Sequence, residues 1–210
     1  RRLPGKNTME FFGIRMVERA IQLAIQSDIF DTIIVSTDDP DVLEIADGYH
    51  NVITMLREEH LCGDDVGVEE VVKDVLKSIK SDYICCLYPC TPLLVPDDLI
   101  YSFKQMIMEK AERCIGCAEY DVHPVYAFEV SADNKIFRAC TDRVIRENAK
   151  IGMVYDTGFY WCKSDVFVQT GTLVGIDRMI GYMLPRERAV DIDTPEDLEL
   201  AKFYWEKKNV

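Results

Sequence analysis

Short apolar runs alternate along this chain with longer stretches of helical spacing, and that alternation restricts its fold more than any single motif. Residues 32–36, 51–56, 83–88 and 114–120 are brief runs rich in β-branched, aromatic or cysteine side chains, as expected of buried strands. Between them, residues 15–26 carry Met16, Val17, Ala20, Ile21, Ala24 and Ile25 at helical spacing, and Ser27-Asp28 closes that helix. Residues 41–49 and 69–80 repeat the pattern, and Pro96-Asp97-Asp98 opens a further helix running to about Ala111. Repeated strand–helix units imply right-handed crossovers and helices on both faces of a sheet. The fold class expected is α/β, with a mostly parallel central sheet flanked by helices. Residues 83–88 form the most hydrophobic strand and are expected at its centre. Residues 125–130 and 135–139 read as a hairpin around Ala132-Asp133-Asn134, residues 157–162 and 179–183 as further strands, and Thr194 onward as the last helix. A parallel sheet usually opens on a strand, whereas this chain opens on a loop without Met. A first strand and part of a loop are therefore expected upstream of Arg1.

With 210 residues the chain suits one domain carrying a modest extra element. Its net charge of −13 disfavours nucleic acid and anionic lipid as partners. No apolar run reaches the length of a membrane span, and no charged-then-apolar leader precedes the first helix. The eight cysteines, several of them inside apolar runs, read as reduced thiols of a cytoplasmic protein rather than a disulfide framework. Cys114-Ile115-Gly116-Cys117 has the spacing of half a zinc or redox site but no matching second pair, so it reads as core.

In open α/β sheets, ligands lie beyond the carboxyl ends of the strands. The polar residues there are Ser36-Thr37-Asp38-Asp39, Arg57-Glu58 and Tyr88-Pro89-Cys90-Thr91. Arg57 can contact a base, ribose or phosphate, or be an ordinary surface arginine. In the loop after the central strand two prolines enforce an extended path, and Thr91 offers a hydroxyl. Cys90 has no evident histidine partner, so a catalytic thiol is not supported.

At the start, Arg1, Arg2 and Lys6 surround a Pro4-Gly5 turn, a loop able to wrap a polyphosphate, or else a solvated basic terminus. At the end, Asp191 and Asp193 flank Ile192. On an extended segment both carboxylates share a face and repel unless a cation or proton intervenes. Thr194-Pro195-Glu196-Asp197 then reads as a helix start, with Thr194 as N-cap, Pro195 in the first helical position and Asp197 completing a capping box. The couplet is a seat for Mg²⁺ beside a phosphate, or simply part of the cap. Tyr155-Asp156-Thr157-Gly158-Phe159-Tyr160-Trp161 combines aromatic faces with a carboxylate and suits sugar hydroxyls, or else forms an aromatic core strand. Arg143, Arg146 and Asn148 can meet an acidic sugar or stay solvated.

Taken in order, these pieces resemble the cytidylyltransferases that activate nine-carbon acidic sugars with CTP. The resemblance rests on Arg2-Leu3-Pro4-Gly5-Lys6-Asn7, Ile34-Val35-Ser36-Thr37-Asp38-Asp39, Arg57, Pro92-Leu93 and Asp191 through Asp197. The Cys85-Cys86-Leu87-Tyr88-Pro89 and Tyr155 through Trp161 segments look closest to the pseudaminic acid branch. The resemblance implies a Rossmann-like nucleotidyltransferase that moves CMP from CTP to the anomeric hydroxyl of a nonulosonic acid. It implies that Arg1, Arg2, Lys6, Asn7, Arg57 and Thr91 bind CTP, and that Asp191 and Asp193 hold Mg²⁺ and share the catalytic role with Lys6. It assigns Tyr88, Tyr155, Asp156, Phe159 and Tyr160 to the sugar. It also implies a homodimer, made through a strand-rich excursion at roughly 122–154. Val66-Gly67-Val68 stand where the family carries small hydroxyl residues after Arg57, so cytidine contacts there would use backbone or differ. A glycosyltransferase is the other enzymatic reading of an Asp-x-Asp pair, but that motif normally follows an early central strand. A binding relative without activity is the non-enzymatic one.

Overall fold

The computed structural model describes residues 3–63, 65–138, 153–175 and 177–208. The chain opens with a small hairpin, β1 (Glu10–Phe11) and β2 (Ile14–Arg15), turning at Phe12 and Gly13, both with positive φ. Helix α1 (Met16–Ser27) follows, buries Met16, Val17, Ile21, Leu23 and Ala24, and stops where Asp28 turns left-handed. Strand β3 (Ile33–Thr37) leads into α2 (Pro40–Asp47), whose cap is Asp39 accepting from Asp41 N at 2.9 Å. Then come β4 (Val52–Leu56), α3 (Val68–Ser78), β5 (Tyr83–Leu87) and α4 (Pro96–Met108). Strand β6 (Arg113–Glu119) precedes the hairpin β7 (Phe128–Val130) and β8 (Ile136–Arg138). The rest is β9 (Val154–Lys163), α5 (Ser164–Thr170), β10 (Met179–Met183) and α6 (Pro195–Lys208).

Strands β10-β6-β9-β5 form one four-stranded sheet, while β3 and β4 pair in parallel as a separate ladder. The expectation of a mostly parallel sheet needs correction. β6 and β10 are parallel, but β9 runs antiparallel to both β5 and β6. The cause is topological: β9 returns from an excursion that leaves the carboxyl end of β6, so it must run back against its neighbours. An apolar strand sequence carries no sign of its direction.

The β6–β9 ladder shifts register between Ile115 and Cys117. Gly116 is required there, because a Cβ would lie 2.5 Å from the Thr157 carbonyl oxygen. Gly158 opposite has φ +83°, and a Cβ on it would press Leu94 at 3.0 Å. These two glycines bend β9 over the loop that follows β5, where Tyr88 N donates to Gly158 O at 2.9 Å.

One core cluster unites Leu99, Met106, Cys114, Phe159 and Trp161 under the four-stranded sheet, with Trp161 Nε1 donating to Ser102 Oγ at 3.0 Å. A second joins Phe11, Met16, Cys90, Leu93, Val190, Ile192 and Ala201. It brings the first loop, the loop after β5 and the segment before α6 onto one apolar base. The seven described cysteines are free thiols, and Cys114 and Cys117 are buried in β6. Among the described residues no helix is long and apolar enough to cross a membrane. Within the excursion, residues 139–152, and with them Arg143, Arg146 and Asn148, lie outside the described residues.

Candidate functional site

The loop after β5 supplies the floor of the site, and the two ends of the chain close over it. Ile192 N donates to Cys90 O at 2.9 Å, and Leu3 N donates to Asp193 O at 2.9 Å. Thr157 Oγ1 donates to Ala189 O at 3.2 Å. Asp197 accepts from Asp193 N, Thr194 N and Thr194 Oγ1 at 3.1, 2.8 and 2.7 Å, while Asp197 N donates back to Thr194 Oγ1 at 3.2 Å. This is the capping box that the Thr194–Asp197 spacing predicts. The segment bearing the acidic couplet is thus fixed by strand, loop, N-terminus and helix start together.

Lys6 Nζ reaches Asp193 Oδ1 at 2.6 Å and Ile192 O at 3.1 Å. Partial burial pulls the Lys6 ammonium down, but the bond to Asp193 and the fields of Cys90, Asp191 and Asp193 outweigh it and raise its pKa. Asp191 keeps solvent contact, yet partial desolvation pushes its carboxyl above the ordinary range. Lys6 draws it back, and Asp193, Asp197 and Asp156 push it up again. The couplet therefore carries more negative charge than one lysine offsets.

This charge imbalance fits a divalent cation. Among the described residues no group of three or more potential ligands forms. A cation seated on Asp191 and Asp193 would take the rest of its shell from water and ligand oxygens, the habit of Mg²⁺.

Next to the couplet stands a second group. The Tyr160 hydroxyl donates to Asp156 Oδ2 in a short bond, and burial with that bond raises the Tyr160 pKa. Tyr88 packs edge-on against Tyr160, centroids 5.5 Å apart. Burial pushes the Tyr88 phenol up to about 12, helped by Cys86, Glu69, Asp156 and Asp191. Tyr88, Asp156, Tyr160 and Asp191 therefore share one neighbourhood, with Glu69 from the start of α3 at its margin.

The residues expected from the sequence do not all converge. Phe159 is fully buried in the main core. The alternation of β9 turns it away from the face that carries Asp156 and Tyr160, so it cannot touch a sugar. Tyr155 packs against Tyr120, centroids 5.2 Å apart, and lies in the fields of Asp121 and Arg186 rather than of Asp191. Thr91 is buried and its hydroxyl donates to Tyr88 O at 3.0 Å, which makes it a brace of the loop. Arg57 is held at the ends of β3 and β4: its Nη2 donates to Ser36 O at 2.6 Å, and Nη1 lies 4.0 Å from Asp38. Its Nε is buried with no partner among the described residues. Thr37 and Asp39 are used in the turn, with Asp39 N donating to Thr37 Oγ1 at 3.1 Å. Arg1 and Arg2 lie outside the described residues.

Sequence reasoning missed a buried ion pair anchoring the segment just before the couplet. Arg188 makes a forked bond to the fully buried Asp98, Nε to Oδ2 at 3.0 Å and Nη2 to Oδ1 at 2.9 Å. Asp98 reads locally as an ordinary helix-start carboxylate, and indeed accepts from Val95 N at 3.0 Å. Nothing local points to a partner ninety positions away.

An α/β sheet with a lysine–carboxylate group beyond the carboxyl end of β5, which lies at the edge of the four-stranded sheet rather than at its expected centre, is an arrangement suited to phosphorylated ligands. Residues 1–202 match the cytidylyltransferase family, to which the chain belongs, and by that membership it is a cytidylyl-transferring enzyme. It is 27% identical to the pseudaminic acid cytidylyltransferase of Campylobacter jejuni over 98% of this chain and 91% of that one. It is 32% identical to the CMP-N,N'-diacetyllegionaminic acid synthase of Legionella pneumophila, again over 98% of this chain and 91% of the relative. Among solved structures, CMP:2-keto-3-deoxy-manno-octonic acid synthetase complexed with CTP aligns with a TM-score of 0.69 at 17% identity. That alignment covers 99% of this chain and 94% of the other, and shows the shared fold.

Proposed function

We propose that this protein transfers CMP from CTP to the anomeric hydroxyl of a nonulosonic acid of the pseudaminic or N-acylneuraminic type, releasing pyrophosphate. The observation that carries the reading is the contact of Lys6 with Asp193, which sets a cation beside two carboxylates over the β5 loop. In the transfer, the sugar oxygen bonds to the α-phosphorus, the bond from that phosphorus to the bridging oxygen breaks, and the hydroxyl proton is lost. Lys6, together with Arg1 and Arg2, is assigned to the leaving pyrophosphate. Asn7 and Arg57 are assigned to the cytidine. Tyr88 and the Tyr160–Asp156 pair are assigned to the sugar, because they adjoin the couplet: Asp156 is exposed on β9, and the largely buried Tyr160 holds it through its hydroxyl. Asp191 and Asp193 would hold Mg²⁺, which when bound neutralises phosphate charge and acts as a Lewis acid.

The active form in this reading is a cytoplasmic homodimer, since the free thiols suit a reducing compartment. The β7–β8 hairpin presents Phe128, Val130 and Ile136 on one face, each more than half exposed, as an apolar surface that a second copy would cover. A pyrophosphate-release assay tests the function, using CTP, Mg²⁺ and separately pseudaminic, legionaminic, N-acetylneuraminic and 3-deoxy-octulosonic acids. Turnover with a nine-carbon acid is expected, abolished by EDTA. Turnover confined to the eight-carbon acid, or no turnover with any acid, overturns the reading.

A further inference from the structure

The Cys90 thiol is placed to do something its chemistry alone does not suggest. It is buried, 2% exposed, and its Sγ lies 3.4 Å from Asn7 Oδ1. Burial pushes the thiol up to about 12, with Lys6 pulling it back, so at neutral pH it keeps its proton and is a donor rather than a nucleophile. Asn7 itself is exposed. Its backbone is fixed, since Val17 N donates to Asn7 O at 2.9 Å. Among the described residues, no hydrogen bond uses Asn7 Nδ2. The side chain thus has one end tied to a buried donor and the other open to solvent.

An amide can present either its oxygen or its nitrogen to a ligand, and the two faces recognise opposite partners. A thiol donor beneath the oxygen decides between them. We propose that Cys90 is a positioning residue: it donates to Asn7 Oδ1 and thereby commits Asn7 Nδ2 to donate to an acceptor on the nucleotide, such as a pyrimidine carbonyl or ribose oxygen. The Cys90 carbonyl also accepts from Ile192 N, so the same residue registers the nucleotide-facing amide against the acidic couplet. The proposal rests on the CTP reading above.

Its test uses variants that separate the donor from the packing. Cys90→Val keeps an apolar side chain, slightly larger than cysteine, but loses the donor, whereas Cys90→Ser keeps a donor in a slightly smaller side chain. Calorimetric titration with CTP and steady-state kinetics are run on both. Cys90→Val should raise the Kd and KM for CTP about fivefold to tenfold, leave the sugar KM unchanged and hold kcat within about twofold. Cys90→Ser should restore CTP binding to within about twofold. In an Asn7→Ala background, Cys90→Val should add nothing further. Valine behaving as wild type, serine failing to rescue, or effects that multiply with Asn7→Ala would each overturn the inference while leaving CTP turnover intact. Wild-type protein that binds no CTP would instead sink the function reading and this proposal with it.

Discussion

Replacing Arg188 by methionine should expose how much of the fold's stability stands behind the acidic couplet. The change keeps an unbranched side chain but removes both N–H donors facing Asp98, which is fully buried. Among the described residues, Asp98 would keep the Val95 N–H alone. Breaking a buried pair from one side costs about 3–5 kcal/mol, because the remaining charge stays desolvated. Arg188 is itself 26% exposed, so water can partly replace it, and the low end, about 3 kcal/mol, is the working value. Domains of this kind hold roughly 5–15 kcal/mol in total, so the loss is large. With a urea slope of roughly 2–3 kcal/mol per molar, the unfolding midpoint should fall by about 1 M. Urea titration followed by far-ultraviolet circular dichroism measures it. Pairing Arg188→Met with Asp98→Asn should recover part of the loss, since no unpaired charge is then left inside. A midpoint shift below about 0.3 M for Arg188→Met, with the slope unchanged, would show that the fork contributes little and that the reasoning is wrong.

Three further outcomes follow from the site. Asp193→Asn should lower turnover by about 100-fold or more with an unchanged circular dichroism spectrum, and near-normal rates would refute the proposed role of that carboxylate. Cys90, with its thiol near 12, should be about one part in ten thousand thiolate at pH 8. Mass spectrometry after brief iodoacetamide treatment at that pH should find it unmodified in the native protein and modified once urea unfolds the chain. Because the ionised form grows as pH rises towards 12, fast native labelling of Cys90 below pH 8 would contradict its burial. Phe128→Asp on the exposed hairpin should shift the mass from light scattering towards the monomer, and an unchanged dimer would place the interface elsewhere.

Much of the fold is legible because period and punctuation are local properties. The stripe through Met16, Val17, Ile21 and Ala24 becomes the buried face of α1, and the Thr194–Asp197 box caps α6 as its spacing predicts. The hairpin across residues 128–138 forms about the expected turn. Strand direction is different in kind. Nothing within residues 157–162 distinguishes a parallel from an antiparallel neighbour, and only the excursion before β9 settles it. The short β1–β2 hairpin was also unreadable, because its turn uses Phe12 at φ 48° instead of the usual Asn or Asp.

The site divides along the same line. The meeting of the chain ends was legible because the resemblance assigns both Lys6 and Asp193 to one site, and the structure places them 2.6 Å apart. The aromatic segment was readable in type but not in parity. Taking Tyr155 to Tyr160 as one sugar-facing surface ignores that a strand presents only alternate residues to each face. Counting by twos from Asp156 selects Gly158 and Tyr160 and sends Phe159 into the core with Trp161. The Gly116–Gly158 bend makes that parity consequential, because it carries Tyr160 and Asp156 towards Tyr88 while Tyr155 stays beside Tyr120. Arg188 and Asp98 were unreadable for a further reason: burial is what turns their pairing into a structural support, and burial is a property of the whole fold. The supports of such a site are therefore harder to find in a sequence than its chemistry, although a substitution in either can disable it.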